Sequence, residues 1–465
     1  YVGASPDKPT DTKTLIYSYN ASYDDANSQL NESSGQFALA YTAIENANLA
    51  IAGLRKYGDV ENNAGMRYLL GEALVLRALY YHDLVKAWGD VPARFQPIGE
   101  TGDVIKPKSD RDVIYQQIIG DLEEAVNYVY WPNESGKTGL TTRVNKAFAY
   151  GLLARVCLSA AGYSQRPDEG QIGTGSVGSN RRSKLTESGQ VWGDDALYTK
   201  ALDACKEVIA KENACVGLEG SFEEIWRDMM KREVAAGGEA LFVIPFADNR
   251  GQWMNNYAIK HYTADKYCGK ANAGGTIGPV PTLYYDFDVK DKRRDISVVA
   301  FRWADGVQEL TRPSMMTGGK LRAEWKDPSL AKFSANANDG ITPIVLRYSD
   351  VLLMFAEADN RLNGGPTDEA KLALQRIRER AFGTSQAEWI AGVSGSEADF
   401  LKAVQEERRL EFVGEMIRKQ DLIRWNLLKT NMDKVKQDMY DLRTLSGGYA
   451  DVPAYVFWKY KSNAA

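Results

Sequence analysis

The stretch Arg250–Tyr257, RGQWMNNY, holds the densest set of residues able to grip a polar ligand. An indole or phenol face stacks on the flat C–H face of a sugar ring. Amide and guanidinium groups beside it bind the ring hydroxyls. Trp253 and Tyr257 supply rings here, and Arg250, Asn255 and Asn256 supply polar groups. Tyr262, Trp303 and Trp325 extend the candidate platform, as does Trp192 at the end of a long polar insertion. Aromatic residues are the compositional anomaly, with 10 Trp, 25 Tyr and 14 Phe, and rings left outside a core are natural binding groups. The competing reading is that Trp253, with Met254 and Tyr257, plugs a loop onto the domain.

Other chemistries find little material. Glu357 and Glu411 lie in apolar helical patterns and could form a hydrolytic pair. Each has an arginine at helical spacing, Arg361 and Arg408, so ion pairing is the stronger expectation. The G-x-G-x-x-G match at Gly173–Gly178 has polar loop on both sides, without the strand and helix a dinucleotide site requires. Gly136-Lys137-Thr138 would need a glycine where Trp131 stands to cradle a phosphate. Ser329–Lys332 and Lys137–Gly139 match two elements of penicillin-recognising serine enzymes, but in reversed order. Four cysteines without a C-x-x-C pair and only two histidines, His82 and His261, argue against disulfides and metal centres. We therefore expect no catalytic residue, metal or cofactor. A net charge of −5 gives no basic footprint for nucleic acid, and no run of 18 apolar residues spans a membrane.

The elements that must position these groups are mostly helical. Glu407–Asn426 reads as one helix, with Leu410, Val413, Ile417 and Leu422 at three- and four-residue steps. Its charges, Arg408, Glu411, Glu415, Arg418 and Asp421, interleave with Phe412, Ile417 and Trp425. Charges beside large apolar groups must be paired, so a half-buried Arg/Glu lattice fixing the helix to its neighbours is expected. Further helices are expected over Gln36–Tyr57, Asn63–Trp88, from a Ser109 cap through Val126, across Thr141–Gly162, over Asp194–Ala210, from Arg347 to Asn363 and over Thr367–Phe382. Ser396 and Asp399 form a capping box. Glu233–Pro343 differs in texture, with short apolar runs broken by Gly, Pro and Asn, and reads as irregular structure with a few small strands. Residues 1–36 are polar and read as loop.

Four segments, in order, resemble the SusD/RagB family of surface glycan-binding lipoproteins of Bacteroidota. LVLRALYYHDLVKAWGDVP resembles its N-terminal signature, and RYSDVLLMFAEADNRLN its R-Y-A-D-x-L-L motif, with Ser349 in place of Ala. Thr367–Phe382 resembles the helical partner of that motif. ERRLEF, GEMIRKQ and DLIRW resemble the C-terminal signature, with Gly414-Glu415 transposed relative to the usual E-G. The likeness spans about residues 36–430 and weakens after Asn431. It implies a mainly α fold, with tetratricopeptide-like helical pairs as scaffold and an irregular loop-rich region. A helical region at 1–230, its start truncated, would be followed by a C-terminal region at 231–465. The resemblance implies a non-catalytic protein of the outer membrane's extracellular face, lipid-anchored through a cysteine preceding Tyr1. Its partners would be a glycan and a SusC-like TonB-dependent transporter. A peptide or glycoprotein binder of the same family, or a helical glycoside hydrolase or lyase, remains as an alternative.

Overall fold

The computed structural model describes residues 2–3, 35–102, 104–168, 178–182, 186–187, 190–191, 194–248, 250–251, 253–311, 316–327, 329 and 340–453. Helices α1 (Gln36–Tyr57), α2 (Ala64–Trp88), α3 (Arg111–Ala125), α4 (Lys146–Ala161) and α5 (Asp194–Ile209) pack in sequence, each on the next. Two shorter helices follow, α6 (Phe222–Lys231) and α7 (Trp253–Tyr257). Then come α8 (Tyr348–Leu362), α9 (Asp368–Phe382), α10 (Glu397–Glu411), α11 (Arg418–Arg424) and α12 (Leu428–Thr444). Helix α8 lies against α5, α9 and α10, and one hydrophobic core runs from Ile44 to Phe412. The fold is mainly α with helical pairs as scaffold, as the sequence indicated.

Local chemistry explains the boundaries. Asn63 caps α2 by accepting from the Gly65 and Met66 amides, both at 3.1 Å. Asn145 and Ser396 cap α4 and α10 in the same way. The expected Ser109 cap belongs instead to Asp110, which accepts from Asp112 N at 2.8 Å. Ser109 is occupied elsewhere: its amide donates to Val91 O, and its hydroxyl accepts from Ala93 N. Gly151 on α4 lets a strand come close, since a Cβ there would stand 2.8 Å from Leu346 Cδ2.

Strands β1 (Ala240–Val243) and β2 (Ile344–Arg347) pair antiparallel, with Val243 opposite Ile344 and Ala240 opposite Arg347. They close a long excursion, 244–343, whose described residues form irregular chain, short helices such as α7 and two-stranded ladders. Phe301–Ala304 with Val307–Leu310 is one such ladder, and Val298–Val299 with Thr317–Gly318 is another. Of residues 1–36, Val2–Gly3 pairs with Ile277–Gly278, while 4–34 lie outside the described residues.

The expected single helix Glu407–Asn426 is two helices. Helix α10 ends at Glu411, and a turn follows in which Gly414 (φ 85°) and Met416 (φ 61°) are left-handed. That conformation costs glycine little and reverses the chain before α11. The charge partners also differ from those that helical spacing suggests. Arg408 pairs with Asp350 at 2.6 Å and Asp421 at 2.8 Å, not with Glu411. Glu411 takes Arg293 at 3.0 Å, Arg347 at 2.9 Å and Arg380. Glu357 pairs with Arg424, while Arg361 pairs with Glu397 at 3.2 Å. Arg418 donates to Gln405 O rather than reaching Asp421. The lattice exists, but it is tertiary and more buried than expected, with Arg293 and Glu411 at 0 % side-chain exposure.

Three carboxylates of this lattice are held below their ordinary range although burial opposes it. Arg408 and Arg155 depress Asp350, while Arg380, Arg347 and Arg293 depress Glu411. Arg408 and Arg424 depress Asp421. Their contribution to stability is complete above the unfolded carboxylate pKa, about 4, and fades as pH falls through the lower folded values. Unfolding free energy should therefore drop steeply below about pH 4; a flat urea midpoint from pH 5 to 3 would contradict this. Glu411→Gln leaves three guanidinium groups short of one anion, and should cost about 3–5 kcal/mol in urea unfolding. A loss below about 1 kcal/mol would mean that the lattice repacks without it.

A candidate binding cleft lined by aromatic rings

Helix α6 is strongly amphipathic. Phe222, Ile225, Trp226, Met229 and Met230 recur at helical spacing and bury one face. Ser221 caps it, with its hydroxyl accepting from Glu223 N. That face joins Met254 and Trp325 in a second, smaller core beneath the excursion. Helix α7 lies above, with the Trp253 and Tyr257 rings 5.5 Å apart at 39°.

Between them lies a small cleft of about 70 Å³, partly open to solvent. Enclosed small-ligand pockets commonly run to roughly 300–1,000 Å³, so this is a shallow cradle for part of a ligand and not a pocket that encloses one. Trp226, Trp253 and Tyr257 supply its rings, and Met229, Ile277, Leu321, Ile341, Ile344 and Val413 its aliphatic walls. Ser297, Lys320 and Glu415 bring polar side chains. Glu415 comes from the turn after α10, so the charge lattice reaches the cleft.

Lys320 links the two. Its ammonium donates to Glu411 O at 2.8 Å and Glu415 Oε1 at 2.6 Å. It sits 4.3 Å from the Trp226 ring centroid and 4.9 Å from that of Phe222. Burial pushes its pKa down from 10.5 to about 8, with Glu415 opposing. Glu415 is also held by Arg347, at 2.8 Å on each oxygen.

Two residues of the expected platform, Trp253 and Tyr257, meet in the cleft. Trp303 and Trp325 do not belong there. Each is buried, and neither is among the residues that line the cleft. Trp303 packs on Tyr267 and His261, and Trp325 carries the Arg227 and Arg322 guanidinium groups over its ring. Tyr262 is half exposed but lies under Arg302, away from the cleft lining. Arg250 is exposed, and Asn255 and Asn256 are half-buried; none lines the cleft. Trp192 lies outside the described residues, as does most of Gly173–Gly178. Thr138 spends its hydroxyl on Trp131 O at 2.8 Å, closing its own loop. Trp226 and Lys320 went unrecognised in the sequence, and Glu415 was expected only in the ion lattice. The apolar stripe of α6 was the available signal for Trp226, whereas nothing local marks Lys320.

The fold and the sequence together place the chain among known proteins. A solved SusD homologue from Bacteroides thetaiotaomicron superposes with a TM-score of 0.72 at 21 % identity, over 94 % of this chain and 82 % of that one. Surface glycan-binding protein A from the same organism, in complex with laminarihexaose, gives 0.65 at 20 % identity, over 92 % and 82 %. A SusD-like protein of Formosa agariphila is 25 % identical over 442 residues, 89 % of this chain and 74 % of the relative. The sequence model described as the SusD family matches residues 316–462, and one described as starch-binding associating with outer membrane matches residues 7–158. The chain belongs to the SusD/RagB family. The match to residue 462 carries the likeness past Asn431, where the sequence motifs had weakened.

The buried amine sets a sign for alkaline stability. Between about pH 8 and 10.5 the unfolded chain retains the Lys320 proton that the folded chain has released. Wild-type protein should thus gain stability relative to Lys320→Met across that window. Paired urea titrations at both ends measure this, and a constant difference would contradict the buried-amine assignment.

Proposed function

We propose that this protein captures glycan at the cell surface without chemically altering it. The bound oligosaccharide stacks on Trp253 and Tyr257 in the cleft. It is then delivered to a SusC-like TonB-dependent transporter in the outer membrane, to which the protein is held by a lipid anchor. The observation that carries this reading is the convergence of three aromatic rings with a Lys–Glu pair in one cleft. Aromatic walls with a few fixed polar groups suit sugar rings. The family description as starch-binding and associating with the outer membrane supports it, as does the laminarihexaose complex of a protein of the same fold.

A non-catalytic role agrees with the state of the buried carboxylates. Arg424 and the Trp425 indole, at 2.9 Å, occupy Glu357, and three arginines occupy Glu411. Neither carboxylate is poised to donate or accept a proton at a substrate.

Calorimetry against a panel of oligosaccharides and peptides tests the reading. A glycan should bind, and Trp253→Ala should weaken it about tenfold, the scale of one lost aromatic anchor. Unchanged affinity in that variant, with its circular dichroism intact, would remove the cleft as the site. Binding of peptides alone would replace glycan with peptide as the cargo.

A further inference from the structure

The walls of the cleft narrow the kind of sugar it can hold. Met229, Ile277, Leu321, Ile341, Ile344 and Val413 offer no partner to a hydroxyl. A bare sugar edge pressed against them would give up water without replacement. A methyl group would instead bury favourably.

The polar groups point the same way. Trp226 and Ser297 both line the cleft, are 3 % and 1 % exposed, and carry a buried Nε1 and Oγ with no hydrogen-bond partner. An indole N–H only donates. Glu415, the carboxylate in the lining, already binds Lys320 and Arg347 through both its oxygens. Both spare groups can thus donate beside an aliphatic wall, and of the two only the Ser297 hydroxyl can also accept. A carbonyl asks only for a donor, whereas a hydroxyl brings a proton that also needs an acceptor.

Resting on the glycan reading above, we infer that this cleft selects an acetylated sugar, its methyl on the aliphatic wall and its carbonyl oxygen on the Trp226 indole N–H or the Ser297 hydroxyl. An N-acetyl or O-acetyl group is the smallest common sugar substituent that joins a methyl to an acceptor without a charge. Lys320 would shape the wall by holding Glu415 in place, not by touching the acetyl group.

Calorimetry of the full chain with chitohexaose against cellohexaose tests this, because those chains differ by an acetamido group in place of a hydroxyl. Acetylated xylo-oligosaccharides against the same material deacetylated by mild alkali form a second pair. The acetylated member should bind at least about tenfold more tightly in one or both pairs. Trp226→Phe and Ser297→Ala, each checked by circular dichroism, should separately show whether that preference shrinks while the Trp253-dependent stacking remains. Equal affinity within both pairs, abolished by Trp253→Ala, overturns the acetyl inference and leaves the glycan reading standing. Failure of every probe to bind overturns the inference and takes the cleft assignment with it. A preference that persists in full in both variants also overturns it, because the donors would then have no part.

Discussion

Arg347 accepts a burden that few surface residues carry. Its guanidinium, at 1 % exposure, is shared among Glu239 before β1, Glu411 at the end of α10 and Glu415 in the following turn. Arg380 on α9 returns to both Glu239 and Glu411. Each ion is costly to bury alone and tolerable only when its partners arrive with it. The strand pair, α9, α10 and the turn after it therefore have to assemble together. A second lattice extends the same logic: Asp350 on α8 meets Arg155 of α4 and Arg408 of α10, and Asp421 meets Arg408 and Arg424.

The cleft inherits its geometry from this arrangement. Left-handed Gly414 and Met416 turn the chain so that Glu415 faces Arg347 and Lys320 instead of continuing along α10. Lys320, fixed at that end, lies under the Trp226 ring and sets the boundary against which Trp253 and Tyr257 stand. The cleft and the structural lattice are thus one continuous set of contacts, although their side chains have opposite character.

How much of this could be read beforehand depended on range. Helices whose caps and apolar stripes are local, such as α2 with Asn63, were legible to within a residue or two, whereas for α10 only the Ser396 cap was legible and its end at Glu411 was not. The presence of an ion lattice was legible too, because charges interleaved with Phe412 and Trp425 had no polar face to occupy. Its partners were not. Local spacing suggested Arg408 with Glu411, yet each, though both lie on α10, takes its partners from other elements far along the chain. Trp253 and Tyr257 were legible as a ring pair, since both lie in one short segment. Trp303 and Trp325 looked equivalent in composition, but burial depends on what packs around a ring, here Tyr267 and the guanidinium groups of Arg227 and Arg322. Lys320 was invisible because only the folded chain brings it to Glu415.

The β1–β2 pair has a consequence for how such a protein can diversify. Chain leaves the helical scaffold at Val243 and returns opposite it at Ile344, so the ends of the excursion are already joined by a ladder. Lengthening a flexible loop between fixed ends costs only about 0.6 kcal/mol for each doubling. Insertions and deletions between those two strands can therefore change the surface the excursion presents, provided they keep Arg293 and Lys320, whose pairing with Glu411 and Glu415 ties the excursion to the supporting helices.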